Sequence, residues 1–580
     1  MTLVDLFGSA LKCHADRVAL RWKEGEDWKE FSYANLAAAV NAVAKGLVAR
    51  GTAPGDRICI MSENRPEWIV CDLAALWVGA VTVPIYSTGS METARFILKH
   101  SEARMIFASP LCFKAVAEGK RSSQLLVGFG AGDPTFEELR REGEKVPDAE
   151  ITARRKAIRP DDVATIIYTS GTTGDPKGVM LTHANIISNI EATTSCVYVG
   201  CGDRTLSFLP LSHAFERTAG IFAMLYKGVT ISFARDMTTL AEDLLDVRPT
   251  FLITVPRMLE KFHARVRGVV ARKPRLLRRL FEVALRSGKR NPLFPLYDFV
   301  FFRRVRKGFG GCARIVISGG AALAPEIARF FDAVGVPILE GYGLTETSPV
   351  VSVNRPGKNK IGTIGPPLPG VEVKIAPDGE ILVRGPNVMK GYYKDPQATV
   401  EAIDSDGWFA TGDIGEIDGG GYLRITDRKK DLIVTSGGKK VAPQPIESEL
   451  RADPLIQHVC LVGEGRNYIA ALIVPNFEVL AYKARGAGID FSTREELVRH
   501  AQVRSWFEEV VTRVNAPRSS FETVKRFELL ACDWTVDAGE LTPTLKIRRQ
   551  EIAKRFKRAI EELYFPVASF PEEGNKVGER

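Results

Sequence analysis

No apolar run in the chain is long enough to cross a bilayer. The longest, Leu73 to Tyr86, holds about 14 residues and includes Pro84, against the roughly 20 that a membrane helix needs. It reads as a buried helix running into a strand. The nine cysteines, scattered from Cys13 to Cys532, contain no CxxC pair, which argues for free thiols in a reducing compartment. The seven histidines show no HExxH or other metal-ligand spacing. The first residues carry acids early and no apolar h-region, so a signal peptide is not expected. Internal repeats and long low-complexity segments are absent as well. A cytoplasmic protein is the expectation, with peripheral attachment to a membrane as an option discussed below.

What is present is ordinary in bulk. The 580 residues allow two to four domains and a large core. An apolar fraction of 45% and a charged fraction of 26% suit a water-soluble globular chain. The net charge of +9 suits an anionic substrate or an anionic surface.

The informative stretch is 168–183, YTSGTTGDPKGVMLTH. Thr169, Ser170, Gly171, Thr172, Thr173 and Gly174 are small, hydroxylic or both, and Lys177 follows between Pro176 and Gly178. ATII before it reads as a short buried strand, and VMLTHAN after it leads into a helical pattern. A glycine-rich loop leaving a strand lets backbone N–H groups and hydroxyls crowd around a bulky anion, and a lysine adds a point charge. The pattern is not a Walker A loop, which requires GxxxxGK followed by Ser or Thr.

Upstream, helical and strand-like patterns alternate. The segment 31–51 is helical, DRICIMSEN (56–64) a strand, PEWIVCDLAALWVG a helix and AVTVPIY a strand. This alternation predicts βαβ units and a parallel sheet. Residues 110–160 read as a linker or peripheral helix pair. In LSFLPLSHAFERTAG (206–220) a strand ends at Pro210, and His213 and Arg217, four apart, share a face of the helix that follows. A buried His213 paired with Glu216 for packing is the simple alternative.

Residues 265–307 carry fourteen Lys and Arg against only Glu282 and Asp298, interleaved with Phe294, Phe299, Phe301 and Phe302. That pattern fits a solvated helical face, a helix lying on anionic lipid, or nucleic-acid binding; nucleic acid is the reading set aside. In RIVISGGAALAPEIARFFDAVGVPILEGYGLTETSPV (314–350), Gly319 and Gly320 let backbone approach a flat ring, and Tyr342, beside Gly343, presents an aromatic face for base stacking. Thr345 and Glu346 offer a hydroxyl and a carboxylate to a phosphate and its Mg²⁺. Residues 360–427 form short alternating strands with glycine turns, and Asp413 is expected on a tight turn.

The 168–183 loop resembles the signature loop of the adenylate-forming ligases, which holds the β- and γ-phosphates of ATP. PLSHAFER is similar to the wording of long-chain fatty acyl-CoA synthetases, where the histidine lies beside the acyl and pantetheine site. NRPEW (64–68), GYGLTE, TGD (411–413), DR (427–428) and LTPTLK (541–546) fall in the same family's order. The resemblance implies an α/β multi-domain fold: a large N-terminal domain of parallel and mixed sheets, residues 1–429, with a β-rich subdomain at about 360–427. A small mobile α+β domain (430–563) and a polar tail (564–580) complete it.

It implies that Asp413 and Arg428 bind the ribose, that Lys430 is the hinge, and that Gly437 and Gly438 shape the CoA channel. Lys546 is the second catalytic lysine, acting with Lys177 and Glu346, and Thr172 and Glu346 hold Mg²⁺. The implied activity joins a long-chain fatty acid to CoA through an acyl-adenylate, with ATP and Mg²⁺. The alternatives are a fatty acyl-AMP ligase loading a carrier protein and a non-catalytic nucleotide or lipid binder.

Overall fold

The computed structural model describes residues 1–130, 134–169, 175–287, 292–536, 538–542 and 546–564. Packing divides the chain into two compact units, Met1–Lys429 and Lys430–Arg580. Each has its own apolar core.

In the first unit the described strands form one seven-stranded and three four-stranded sheets. The seven-stranded sheet runs in the order 391–392, 177–182, 163–169, 81–85, 57–61, 105–108, 125–128. Its strands 81–85, 57–61, 105–108 and 125–128 are parallel to one another. Arg57–Met61 and Val81–Ile85 are almost entirely buried, as parallel strands covered by helices on both faces must be. The helix Pro66–Trp77 begins with Pro at its first turn and is buried nearly all round. This is the outcome that the long apolar run required.

One expectation is corrected here. Residues 110–160 are not a linker: Leu125–Gly128 closes one edge of the seven-stranded sheet, and the helix Phe136–Gly143, started by a Thr135–Glu138 capping box, packs on the helix Tyr33–Ala49. The strand is only four residues long, too short to show a period in the sequence.

The strands Glu372–Ile375, Glu380–Arg384, Phe409–Ile417 and Leu423–Arg428 form an antiparallel sheet, as the alternation in 360–427 predicts. The second unit packs helices on a three-stranded sheet of Ile456–Val462, Ile469–Pro475 and Val524–Leu529, beside a two-stranded hairpin, 433–434 with 440–441. Among the described residues no helix is long and apolar enough to cross a membrane.

A few aromatic residues of the basic stretch turn out to be core. Phe281 and Phe302 are fully buried, Phe301 meets Phe281 at 5.6 Å, and Arg306 pairs with Asp298. The outer face is different: Leu276, Leu280 and Val283, one stripe of the helix Arg275–Ser287, are exposed, as are Leu293, Leu296 and Phe299.

Candidate nucleotide site

Lys177 opens the strand Lys177–Thr182 and faces Thr169 across an antiparallel ladder. The loop they bracket therefore joins two strands. Ser170, Gly171, Thr172, Thr173 and Gly174 lie outside the described residues. Next to Lys177–Thr182 in the sheet runs the two-residue strand Gly391–Tyr392. It places the Tyr392 ring 5.1 Å from the Lys177 ammonium. The Tyr392 hydroxyl donates to Glu346 Oε1 at 3.2 Å.

Glu346 sits in the single turn Thr345–Thr347, which follows the strand Ile338–Gly343. That turn lies tight against its own continuation: a Cβ on Gly343 would fall 1.8 Å from the Pro349 carbonyl oxygen. Burial pushes the Glu346 carboxyl above the ordinary carboxylate range, against a backbone N–H and the Tyr392 hydroxyl, which pull it down. Arg428 and Asp413 act on the same carboxyl through space, so the two clusters are electrostatic neighbours.

The second cluster is Tyr342, Asp413 and Arg428. Asp413 lies inside the strand Phe409–Ile417, not on a turn as its Thr-Gly-Asp setting suggested. Gly412, at φ +72°, bends the chain just before it, and the alternation of the strand puts Asp413 on the buried face. The Tyr342 hydroxyl donates to Asp413 Oδ2 at 2.6 Å, and Arg428 Nε lies 3.1 Å from Oδ1. Asp413 and Arg428 are register partners in adjacent strands. Burial, then the Asp413 charge, pushes the Tyr342 phenol far above its ordinary value, so it stays a donor. Tyr342 is itself buried and holds the carboxylate through its hydroxyl.

The 206–220 segment also departs from expectation. After the strand Arg204–Ser207 the chain turns and then winds as a π-helix over Glu216–Phe222. His213 precedes it, its Nδ1 accepting the Phe215 N–H at 3.1 Å. Arg217 follows His213 by one helical turn, its N–H donating to the His213 carbonyl at 3.0 Å. It is buried, giving two hydrogen bonds to Asp72 at 2.8 and 2.5 Å and one each to Thr165 and Thr82. Glu216 accepts from Ser207 Oγ at 2.6 Å, not from His213, and burial pushes its carboxyl up to about 8.

Gly319 faces Phe215, whose ring would lie 3.0 Å from a Cβ there, so the 319–320 turn and the His213 segment are in contact. Gly320 has a left-handed φ of +82°. The buried carboxyl of Glu340 accepts the Leu323 N–H at 3.3 Å and braces this turn, its acidity weakened by burial to a value of about 7.

Asn64, from the NRPEW motif, donates to the Leu209 carbonyl at 2.7 Å and accepts the Leu211 N–H at 3.1 Å. It fixes the loop leading to His213. Asp72 and Tyr392 are residues that motif reading misses, and it gives Asn64 no structural role. Each acts on a segment more than a hundred positions away, and nothing in its own neighbourhood marks that.

At the end of the first unit, Lys429 reaches Asp378 at 2.6 Å and Glu380 at 2.8 Å. Lys430 is the first residue of the second unit. Within that unit Gly437 and Gly438 occupy the tip of the hairpin 433–441, with open space around both. Lys546 directly precedes Ile547, which bridges Leu541 antiparallel just before the helix Arg549–Arg555.

Family profiles locate this arrangement. An AMP-binding enzyme model matches residues 7–393, and an AMP-binding enzyme C-terminal domain model matches 430–567. The chain belongs to the AMP-binding enzyme family. Among its relatives in that family, Long-chain-fatty-acid–CoA ligase FadD15 of Mycobacterium bovis is 39% identical over 557 residues, covering 93% of this chain and 92% of the relative. Long-chain-fatty-acid–CoA ligase 1 of Homo sapiens is 34% identical over 588 residues, covering 93% and 83%. Among solved structures, ATP-bound MatB from Rhodopseudomonas palustris superposes with a TM-score of 0.73 at 26% identity, covering 96% of this chain and all of that one. The adenylate-forming fold is thus present: a large α/β domain with mixed sheets and a β-rich subdomain, and a smaller C-terminal domain.

The residues also suit magnesium. The donors near the site are oxygens, Glu346 first among them, as a hard cation prefers. Among the described residues no cluster of three or more His, Cys, Asp or Glu could hold a resident ion. One carboxylate with no cage fits an ion that arrives with the nucleotide phosphates.

Proposed function

We propose that the chain is a long-chain fatty acid–CoA ligase working through an acyl-adenylate, with ATP, Mg²⁺ and CoA. The observation that carries this is the meeting of six separated positions, Lys177, Tyr342, Glu346, Tyr392, Asp413 and Arg428, in two adjoining charged clusters. The long-chain substrate rests on the named relatives.

In the first step a carboxylate oxygen of the fatty acid attacks the α-phosphorus of ATP, and the bond to the β-phosphate bridging oxygen breaks. Pyrophosphate leaves and acyl-AMP remains. Two anions must meet, so the protein's main work is placing positive charge. Lys177 and the loop from Thr169 through Ser170, Gly171, Thr172, Thr173 and Gly174 hold the departing phosphates. Asp413 accepts from both ribose hydroxyls, which a carboxylate can do at once, and Arg428 flanks it. Tyr342, Gly343 and Gly320 border the base, and Thr345 faces the phosphates. Glu346 and Thr172 would hold Mg²⁺, which when bound neutralises phosphate charge.

Lys546 bridges the carboxylate and the α-phosphate. In the second step the small domain turns about Lys430 and withdraws Lys546. The CoA sulfur attacks the acyl carbon past Gly437, Gly438 and His213, the bond to AMP breaks, and the thiol proton goes to solvent. The doubly anchored Lys429 gives that rotation a fixed base. The deciding experiment is pyrophosphate release with palmitate and ATP, followed by addition of CoA. Release without thioester on adding CoA would favour a carrier-protein ligase, and no release would favour a binder.

The exposed Leu276, Leu280, Val283, Leu293, Leu296 and Phe299, set among the basic residues of 265–307, suit contact with an anionic membrane surface. Co-sedimentation with vesicles tests this. Equal binding to neutral and anionic lipid, or binding indifferent to salt, would reject an electrostatic attachment.

A further inference from the structure

Two ion pairs with buried carboxylates frame the segment carrying Lys546. Upstream, Glu540 is 1% exposed. Its carboxylate pairs with Arg555 and accepts the Thr535 N–H at 3.2 Å, while its carbonyl accepts the Arg548 N–H at 2.7 Å. Downstream, Arg549 donates to both oxygens of buried Glu447, at 2.8 and 3.1 Å, and to the Leu461 carbonyl at 2.8 Å. Between them Leu541 and Ile547 form an antiparallel bridge. The Thr542 N–H donates to the Lys546 carbonyl at 2.8 Å, and the Lys546 N–H to Thr542 Oγ1 at 3.0 Å. Lys546 therefore adjoins an antiparallel bridge fastened at both ends, with Pro543, Thr544 and Leu545 outside the described residues.

The two fastenings differ in reach. Glu447 also accepts the Leu461 N–H at 2.7 Å, so it belongs to the central sheet of the unit. Among the described residues Glu540 bonds to Thr535, Arg548 and Arg555, all within fifteen positions of it. A buried carboxylate whose bonds among the described residues stay within 535–555 does little for the sheet. It does fix the direction from which the bridged segment leaves the surface.

We propose that Glu540, through its pair with Arg555, is a positioning residue for Lys546, required in the adenylation step and idle in the thioester step. This rests on the role given to Lys546 above. A group that stabilises developing charge must be held to about half an ångström, and a bridge loosened at one end keeps its lysine in register for a smaller share of the time. ATP binding, which falls to the large domain, is untouched. Once Lys546 has withdrawn, the order of that bridge no longer affects attack by the CoA thiol.

The test is Glu540→Gln in the full chain, with the half-reactions measured apart. Single-turnover pyrophosphate release with palmitate and no CoA reports the first. Discharge of isolated palmitoyl-adenylate by CoA reports the second. Adenylation kcat should fall about tenfold or more, with KM for ATP moved by less than about twofold and discharge unchanged. Arg555→Gln, altering the partly exposed partner, should repeat the pattern and serves if the first variant misfolds. Equal losses in both half-reactions, a changed ATP KM with kcat intact, or no change would overturn the proposal. Lys546→Ala is run alongside. If it adenylates normally, the role of Lys546 fails and the clamp with it; if it is slow while Glu540→Gln is not, the clamp alone fails.

Discussion

Asp413→Asn offers a direct test of the nucleotide site. The carboxylate is buried, with Tyr342 on one oxygen at 2.6 Å and Arg428 on the other at 3.1 Å. Asparagine keeps the volume and one acceptor oxygen, but turns the second acceptor into a donor and removes the charge. A hydrogen bond to a charged group contributes about 1.5–3 kcal/mol, so losing one ribose contact should lower kcat/KM for ATP roughly 10- to 150-fold. The discriminating assay compares ATP with 2′-deoxy-ATP and 3′-deoxy-ATP in pyrophosphate exchange. The unaltered chain should favour ATP over at least one deoxy analogue by about tenfold or more. Asp413→Asn should narrow that preference to within a few-fold. If the variant discriminates against both analogues as sharply as the parent, Asp413 does not read the ribose and the assignment is wrong. Circular dichroism and the urea midpoint guard against a fold defect, since Tyr342 and Arg428 also lose part of their partner.

Other perturbations probe the surroundings. Tyr392→Phe keeps the ring under Lys177 but removes the donor to Glu346; calorimetric titration of MgATP should show affinity lowered several-fold, and Tyr392→Leu should cost more. Arg217→Met leaves Asp72 charged and buried, so chemical denaturation should register a loss of about 3–5 kcal/mol, with Asp72→Leu added to it recovering most of the difference. Glu216 titrates near 8 against an ordinary 4.5 because burial disfavours its charge. From pH 4.5 to 8 the unfolded chain releases a proton that the folded chain keeps, so this group's contribution declines as pH rises. Glu216→Gln should therefore gain on the parent by about 1.4 kcal/mol per pH unit across that window, on the order of 3 kcal/mol by pH 7. Parallel stability–pH curves would refute the buried neutral carboxyl.

Much of the fold is legible in the residues because its elements are long and punctuated. FSYANLAAAVNAVAKGLVARG carries its own cap, period and stop, and Ser32 caps the helix Tyr33–Ala49. The Gly/Thr loop, GYGLTE and LTPTLK announce themselves because phosphate binding, backbone turns and a placed lysine need particular residue types within a few positions. Local spacing determines that much. It does not determine which face meets which across the chain. Leu125–Gly128 joins a sheet only because the strand Met105–Ala108 offers it an edge, and Asp413 lies in a strand because Gly412 bends the chain and Arg428 pairs opposite. Arg217 looked like a partner of His213 at helical spacing, yet its charge is met by Asp72, 145 residues away. Tyr392 becomes part of the site through one ladder contact with Val179. A buried charge must find its counter-charge wherever the packed chain supplies one. The sequence therefore settled the kinds of group and their order, and tertiary packing settled their partners.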